Sequence, residues 1–173
     1  AGNFYSEKVE TPSALPGVIS VAAVDSAFRK VKASNFEMRV DMSAPGEKVY
    51  GAYPVADNAY SYFDGTSPAS AIIAGSMAVL KSISPVSTQQ ELLDAMKSSA
   101  IPLDSINFKH AGQLGAGFPD MTKAIEYLKN PIYKYLSFDS ARPEGNFFYK
   151  KKLTSDSWTI KPIDASNGIR LYA

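Results

Sequence analysis

The sequence predicts an α/β domain with a largely parallel sheet, followed by a small β-rich C-terminal extension. Three observations predict it. Val18 to Val24 is a β-branched and apolar run bounded by Pro16-Gly17 and Asp25, as in a strand covered on both faces. Strand-like and helix-like segments alternate up to about Lys129. After Asn130-Pro131 the composition turns to short aromatic β-like runs separated by turn residues. The 173 residues suit one domain with a small appendage. The division is drawn at 1–130 and 131–173. The second part is too small to hold a core alone, so it is expected to pack on the first or to be truncated.

The elements follow in order. Met38 to Met42 alternates apolar and charged residues, as a half-exposed strand does, and Ala44-Pro45-Gly46 turns it. Val49-Tyr50 and Tyr60-Ser61-Tyr62-Phe63 are short strands flanking a loop. Pro68 to Ile83 is a helix with Pro68 at its first position, where a missing N–H is no loss, and Ser84-Pro85 ends it. Ser87-Thr88-Gln89-Gln90 reads as a Ser-x-x-Gln capping box for a helix through about Ser98, with Leu92, Leu93 and Met96 inward. Pro119-Asp120 opens a third helix carrying Met121, Ala124, Ile125 and Leu128 at helical spacing. The extension holds β-like runs at Tyr135 to Phe138, Phe147 to Leu153, Trp158 to Ile160 and Ile169 to Tyr172.

Composition excludes several functions. Lysine plus arginine (18) nearly balances aspartate plus glutamate (17), so neither nucleic acid nor an anionic membrane surface is an expected partner. The Lys150-Lys151-Lys152 run is short and reads as a solvated strand edge. With no cysteine there is neither a disulfide framework nor a thiolate metal site. The apolar stretch Ile72 to Leu80 falls well below the roughly 18 residues of a membrane span. Asp25, Asp41, Asp57 and Asp64 do not have metal-ligand spacing.

Ser67 carries the chemistry. A Gly65-Thr66 turn leads to this hydroxyl, and the apolar helix follows at once. At a helix start, unpaired N–H groups and the positive end of the dipole stabilise negative charge. A nucleophilic serine needs that setting, because an oxyanion develops beside it. The residues alone fit a plain helix N-cap equally, and that is the commoner role for such a serine. Asn3, taken alone, is a turn residue satisfying local backbone.

Resemblance decides between these readings. Gly65-Thr66-Ser67-x-Ala69-Ser70 resembles the nucleophile motif of subtilisin-like serine proteases, the subtilases. Ala1-Gly2-Asn3 is similar to the family's oxyanion-hole motif, and Pro16 to Asp25 to the strand after it. Ala33-Ser34-Asn35-Phe36 resembles the Ser-Asn turn, Val40 to Gly46 the strand and turn before the nucleophile, and Gly115 to Asp120 the Gly-x-Gly turn before the last helix. The segments occur in family order from Ala1 to about Lys129; the extension has no counterpart.

The resemblance implies the C-terminal part of a subtilase catalytic domain, acting as a secreted or extracytoplasmic serine endopeptidase on peptide or protein substrates. Ser67 would be the nucleophile, with Asn3 and the Ser67 N–H as oxyanion donors. Subtilases order their triad Asp, His, Ser. The sole histidine, His110, follows Ser67 in a loop that the family places away from the active site, so it reads as a surface residue. The Asp and His are therefore expected from an upstream half of the same domain, in the same chain or held as a separate one. No cofactor is required, and the resemblance allows structural calcium without assigning residues to it. The competing reading is a non-catalytic subtilase scaffold serving binding or structure. Two departures from the family pattern stand out. Ala71-Ile72 replace the usual proline and histidine, which alters helix packing more than chemistry. Phe4-Tyr5 are bulkier than the usual residues, while Glu7 and Glu10 on the following loop read either as solvent-exposed loop charges, the commoner case, or as a preference for basic substrates.

Overall fold

A computed structural model describes residues 1–55, 58–129, 136–137 and 148–149. The chain divides into two compact units, Ala1–Leu128 and Lys129–Ala173. In the first, strand β1 (Val21–Val24) pairs in parallel with β2 (Met42–Pro45), in the register Val21↔Met42 to Val24↔Pro45. Strands β3 (Val49–Ala52) and β4 (Tyr60–Phe63) form an antiparallel hairpin. Helices α1 (Thr66–Ile83), α2 (Gln89–Ser99) and α3 (Met121–Lys129) follow, with one 3-10 turn at Phe108–His110 between the last two.

β1 is buried along its whole length because both faces are covered. Val21 and Ala23 join Met42 and Ala44 against Ala69, Ile73 and Leu80 of α1, with α2 and α3 behind. On the opposite face Ala22 meets Val9, Val40 and Leu114. Loops cover that second face: Glu10 N–H donates to the Ala1 carbonyl and Val40 N–H to the Glu37 carbonyl. The mixed α/β class is as the sequence implies. The two short strands, the helix count and the inward Leu92, Leu93 and Met96 also agree with the reading of the residues, and the structure adds that those strands pair as a hairpin.

Several boundaries differ, β1 among them, since it begins at Val21 and leaves Val18 exposed. The strand read over Met38 to Met42 begins only at Met42, because Asp41 turns its carboxylate to the Ser20 N–H and to the Lys97 ammonium. That side-chain acceptor replaces a ladder carbonyl, and Met38 is left 84% exposed. The α2 cap is Thr88: its hydroxyl accepts from Glu91 N–H while the Glu91 carboxylate accepts from Thr88 N–H. Ser87, one residue earlier, is buried and bonds the Ser84 hydroxyl. Helix α1 starts at Thr66, so Gly65 is its N-cap and Pro68 the third helical residue. Proline is tolerated there, since first-turn N–H groups lack an intrahelical acceptor in any case.

In the second unit β5 (Leu136–Ser137) pairs antiparallel with β6 (Phe148–Tyr149). The runs expected at Trp158 to Ile160 and Ile169 to Tyr172 lie outside the described residues, as does Asp57.

Candidate active site

The site is built where the first three residues meet the start of α1. Gly65 has φ 115° and ψ −172°, a region open essentially to glycine. A Cβ there would stand 3.0 Å from Asn3 Nδ2 and 3.1 Å from its Oδ1. The close approach has a purpose, because Gly65 offers no side-chain cap. Asn3 supplies it from a distant segment: its Oδ1 accepts from Thr66 N–H at 2.9 Å. In return Thr66 Oγ1 accepts from Gly2 N–H at 3.2 Å. Two reciprocal bonds thus lock residues 2 and 3 to the turn just before Ser67.

Asn35 holds the other side of that segment. It is fully buried, and its Oδ1 accepts from Phe4 N–H (2.8 Å) and Ser6 N–H (3.1 Å). Its own N–H donates to the Gly2 carbonyl at 2.8 Å, and its Nδ2 to the Ala1 carbonyl at 3.4 Å. Gly2 has φ 114°, and a Cβ there would fall 2.5 Å from Asn35 Nδ2, so a larger residue is excluded. Neither Asn35 nor Thr66 was singled out as functional by sequence. The available signal was the Ser34-Asn35 turn, whose buried amide organises the backbone around Asn3.

Ser67 itself is exposed in the first turn of α1. It is not the helix cap. It lines an open depression of about 440 Å³ with Val49, Gly51, Phe63, Pro68 and Ile72. Its N–H belongs to the set that a helix start leaves without an intrahelical acceptor. The geometry therefore brings together the Ser67 loop and the Asn3 amide, with Oδ1 engaged and Asn3 exposed. Oxyanion chemistry can use such an anchored donor beside a hydroxyl.

His110 lies elsewhere. Its ring packs on Phe36 at 4.3 Å between centroids, and it lines a separate cavity with Tyr5 and Lys30. Burial pushes its pKa below 6.5, helped by the nearby Lys30 charge and opposed by Gln113 and Glu7. Glu7 accepts a bond from Gln113, and neither Glu7 nor Glu10 lines the depression at Ser67. Among the described residues no group of three His, Cys, Asp or Glu side chains could hold a metal ion, and no helix is long and apolar enough to cross a membrane.

The chain resembles known proteins over this same region. It is 32% identical over 117 residues to a thermostable alkaline protease of Halalkalibacterium halodurans, covering 68% of this chain and 32% of that protein. An extracellular protease of Xanthomonas campestris is 31% identical over 120 residues, covering 66% and 20%. The solved structure of the prenylagaramide maturation protease PagA superposes with a TM-score of 0.64 at 30% identity, covering 73% of this chain and 48% of that one. The chain spans under half the length of the curated relatives it matches. The family model for subtilases matches residues 1–134, the stretch that holds Asn3, the Ser34-Asn35 turn and Ser67, and the chain is a member of the subtilase family.

Proposed function

We propose that this chain carries the acyl-transfer half of a serine endopeptidase site, with Ser67 as nucleophile and Asn3 as oxyanion donor. The observation that carries the reading is the bond from Thr66 N–H to Asn3 Oδ1, which fixes the amide against the nucleophile turn. With Oδ1 anchored, Nδ2 is left as a preorganised donor, and it works without reorganisation when charge develops. The Asp and His would come from an upstream half of the same domain, outside residues 1–173, either continuous with them or bound as a separate chain.

In the reaction, Ser67 Oγ attacks the scissile carbonyl carbon as its proton passes to the upstream histidine. The carbonyl oxygen takes the negative charge between Asn3 Nδ2 and the Ser67 N–H. Collapse breaks the C–N bond, the histidine returns the proton to the leaving amine, and water then hydrolyses the Ser67 ester. The chemistry requires no cofactor. Substrates would be peptides or proteins outside the cytoplasm, a setting supported by a relative named as extracellular.

The test uses the chain co-produced with its upstream segment and a fluorophosphonate probe. Labelling is expected at Ser67 and is lost in Ser67→Ala. Asn3→Ala should slow turnover about a hundred- to a thousandfold with little change in KM, the size known from removing such an amide in subtilisin itself. Absence of labelling with the upstream segment bound would return the chain to a non-catalytic scaffold.

A further inference from the structure

A second cavity, of about 350 Å³, is lined by Tyr5, Arg29, Lys30, Lys32, Phe108 and Lys109, among others. Four of those six side chains are cationic, and no carboxylate lines the cavity. Lys30 is the informative one. Its ammonium is half-buried and fixed by the carbonyls of Ser34 (2.8 Å), Val31 (3.1 Å) and Lys32 (3.3 Å). The rings of Tyr5 and Phe36 sit 4.8 and 5.0 Å from it. Burial lowers its pKa, which is the mark of a cation held partly out of water.

Among the described residues Lys30, Lys32 and Lys109 form no ion pair with a carboxylate. Two acidic groups stand near the cavity, and one of them neutralises Arg29, which leaves Lys30, Lys32 and Lys109 as the lining cations without a carboxylate partner. Asp25 pairs with Arg29 at 2.8 Å, and Glu7 accepts from Gln113. A partly desolvated charge without a counter-ion attracts an anion more strongly than the same charge in water. Beside these cations stand exposed apolar side chains: Phe108 is 74% exposed and Ile106 46%.

We propose that this cavity is an exosite for an acidic peptide segment bearing carboxylates next to aromatic or aliphatic residues. Lys32 and Lys109 contact the carboxylates, Lys30 supplies a fixed positive field, and Phe108 and Ile106 take the apolar side chains. The overall charge is +1, without the strong basic excess expected of a nucleic-acid-binding chain, so a short anionic segment fits better. Tyr5 also lines the cavity only two residues from Asn3. The identity of the polymer rests on the peptidase reading, since a polypeptide is what that site would bring close. The exosite would thus select substrates or inhibitors with an acidic stretch.

The experiment is fluorescence anisotropy on the full chain carrying Ser67→Ala, co-produced with its upstream segment. The probe is a labelled peptide of alternating Glu and Phe, compared with the same peptide carrying Gln for Glu. The Gln peptide should bind at least about tenfold more weakly, and Lys32→Glu with Lys109→Glu should weaken the Glu peptide by a similar factor. Where the reversed charges lower the unfolding temperature, Lys32→Gln with Lys109→Gln repeats the measurement, with a loss of at least about threefold expected. Equal binding of the two peptides, or no change in either lysine pair, overturns the proposal. Displacement by inorganic phosphate or a single-stranded oligonucleotide at lower concentration than by the Glu peptide also overturns it. Anisotropy needs no turnover, so failure here is distinct from failure of Ser67 to label.

Discussion

Asn35 is the residue on which the candidate site depends most, although no catalytic role falls to it. One buried amide accepts two backbone N–H groups and donates to the Ala1 carbonyl of the same segment. In Asn35→Ala the Phe4 and Ser6 donors lose their acceptor, and each unsatisfied group costs about 1–3 kcal/mol where water is excluded. The urea midpoint should fall accordingly, and Ser67 labelling with it; an unchanged midpoint would show that water replaces the amide without loss. Gly65→Ala strains a backbone region that alanine avoids, by about 1–3 kcal/mol. Its Cβ would also press on Asn3, so labelling should fall more than stability alone explains. His110 offers a pH-dependent check. Its folded pKa lies below 6.5, so below that pH the unfolded chain binds more protons and stability drops. Above pH 6.5 the contribution is fully present. Urea midpoints between pH 7.5 and 5.5 should therefore slope less in His110→Gln than in the wild type.

At the scale of elements, capping chemistry separates what the sequence could show from what it could not. The periodicity of α2 and α3 was legible because buried Leu92, Leu93, Met96, Ala124 and Leu128 recur at helical spacing. The α2 cap was read one residue early, since Ser87-x-x-Gln90 and Thr88-x-x-Glu91 both satisfy the pattern. Glutamate wins because an ionised carboxylate accepts more strongly than an amide at the positive end of the helix. Thr88→Ala should thus cost α2 about 0.5–2 kcal/mol by chemical denaturation. The α1 start was hidden for a different reason: its cap comes from Asn3, 63 residues away in sequence. No local pattern encodes such a bond. The strings that resemble the subtilase nucleophile and oxyanion motifs were nonetheless legible, because each is short and contiguous.

For the whole molecule, the question is what covers α1. Sequence analysis reads the β1 run as covered on both faces, and both of its faces are covered within this chain. Among the described residues an uncovered apolar stripe runs along the outer face of α1, where Ala71, Ala74, Gly75 and Ala78 are exposed at helical spacing and Val79 and Ile83 are 48% and 37% exposed. Small residues there allow a second helix or strand to approach closely, and Ser67 sits at the end of the same stripe. On the proposed reading the upstream half of the domain packs on this face and delivers its Asp and His to Ser67. An obligate interface of that kind buries roughly 2,000 Å² or more. Residues 1–173 produced alone should therefore self-associate in sedimentation and unfold with low cooperativity, whereas co-production with the upstream segment should yield one stable complex. Ala78→Glu places a charge in the middle of the stripe. It should make the isolated chain more soluble while abolishing assembly and labelling, because a carboxylate buried there would lack a partner. A monomeric, cooperatively folding chain, or an Ala78→Glu variant that still assembles and labels, would mean that the upstream half does not sit on α1.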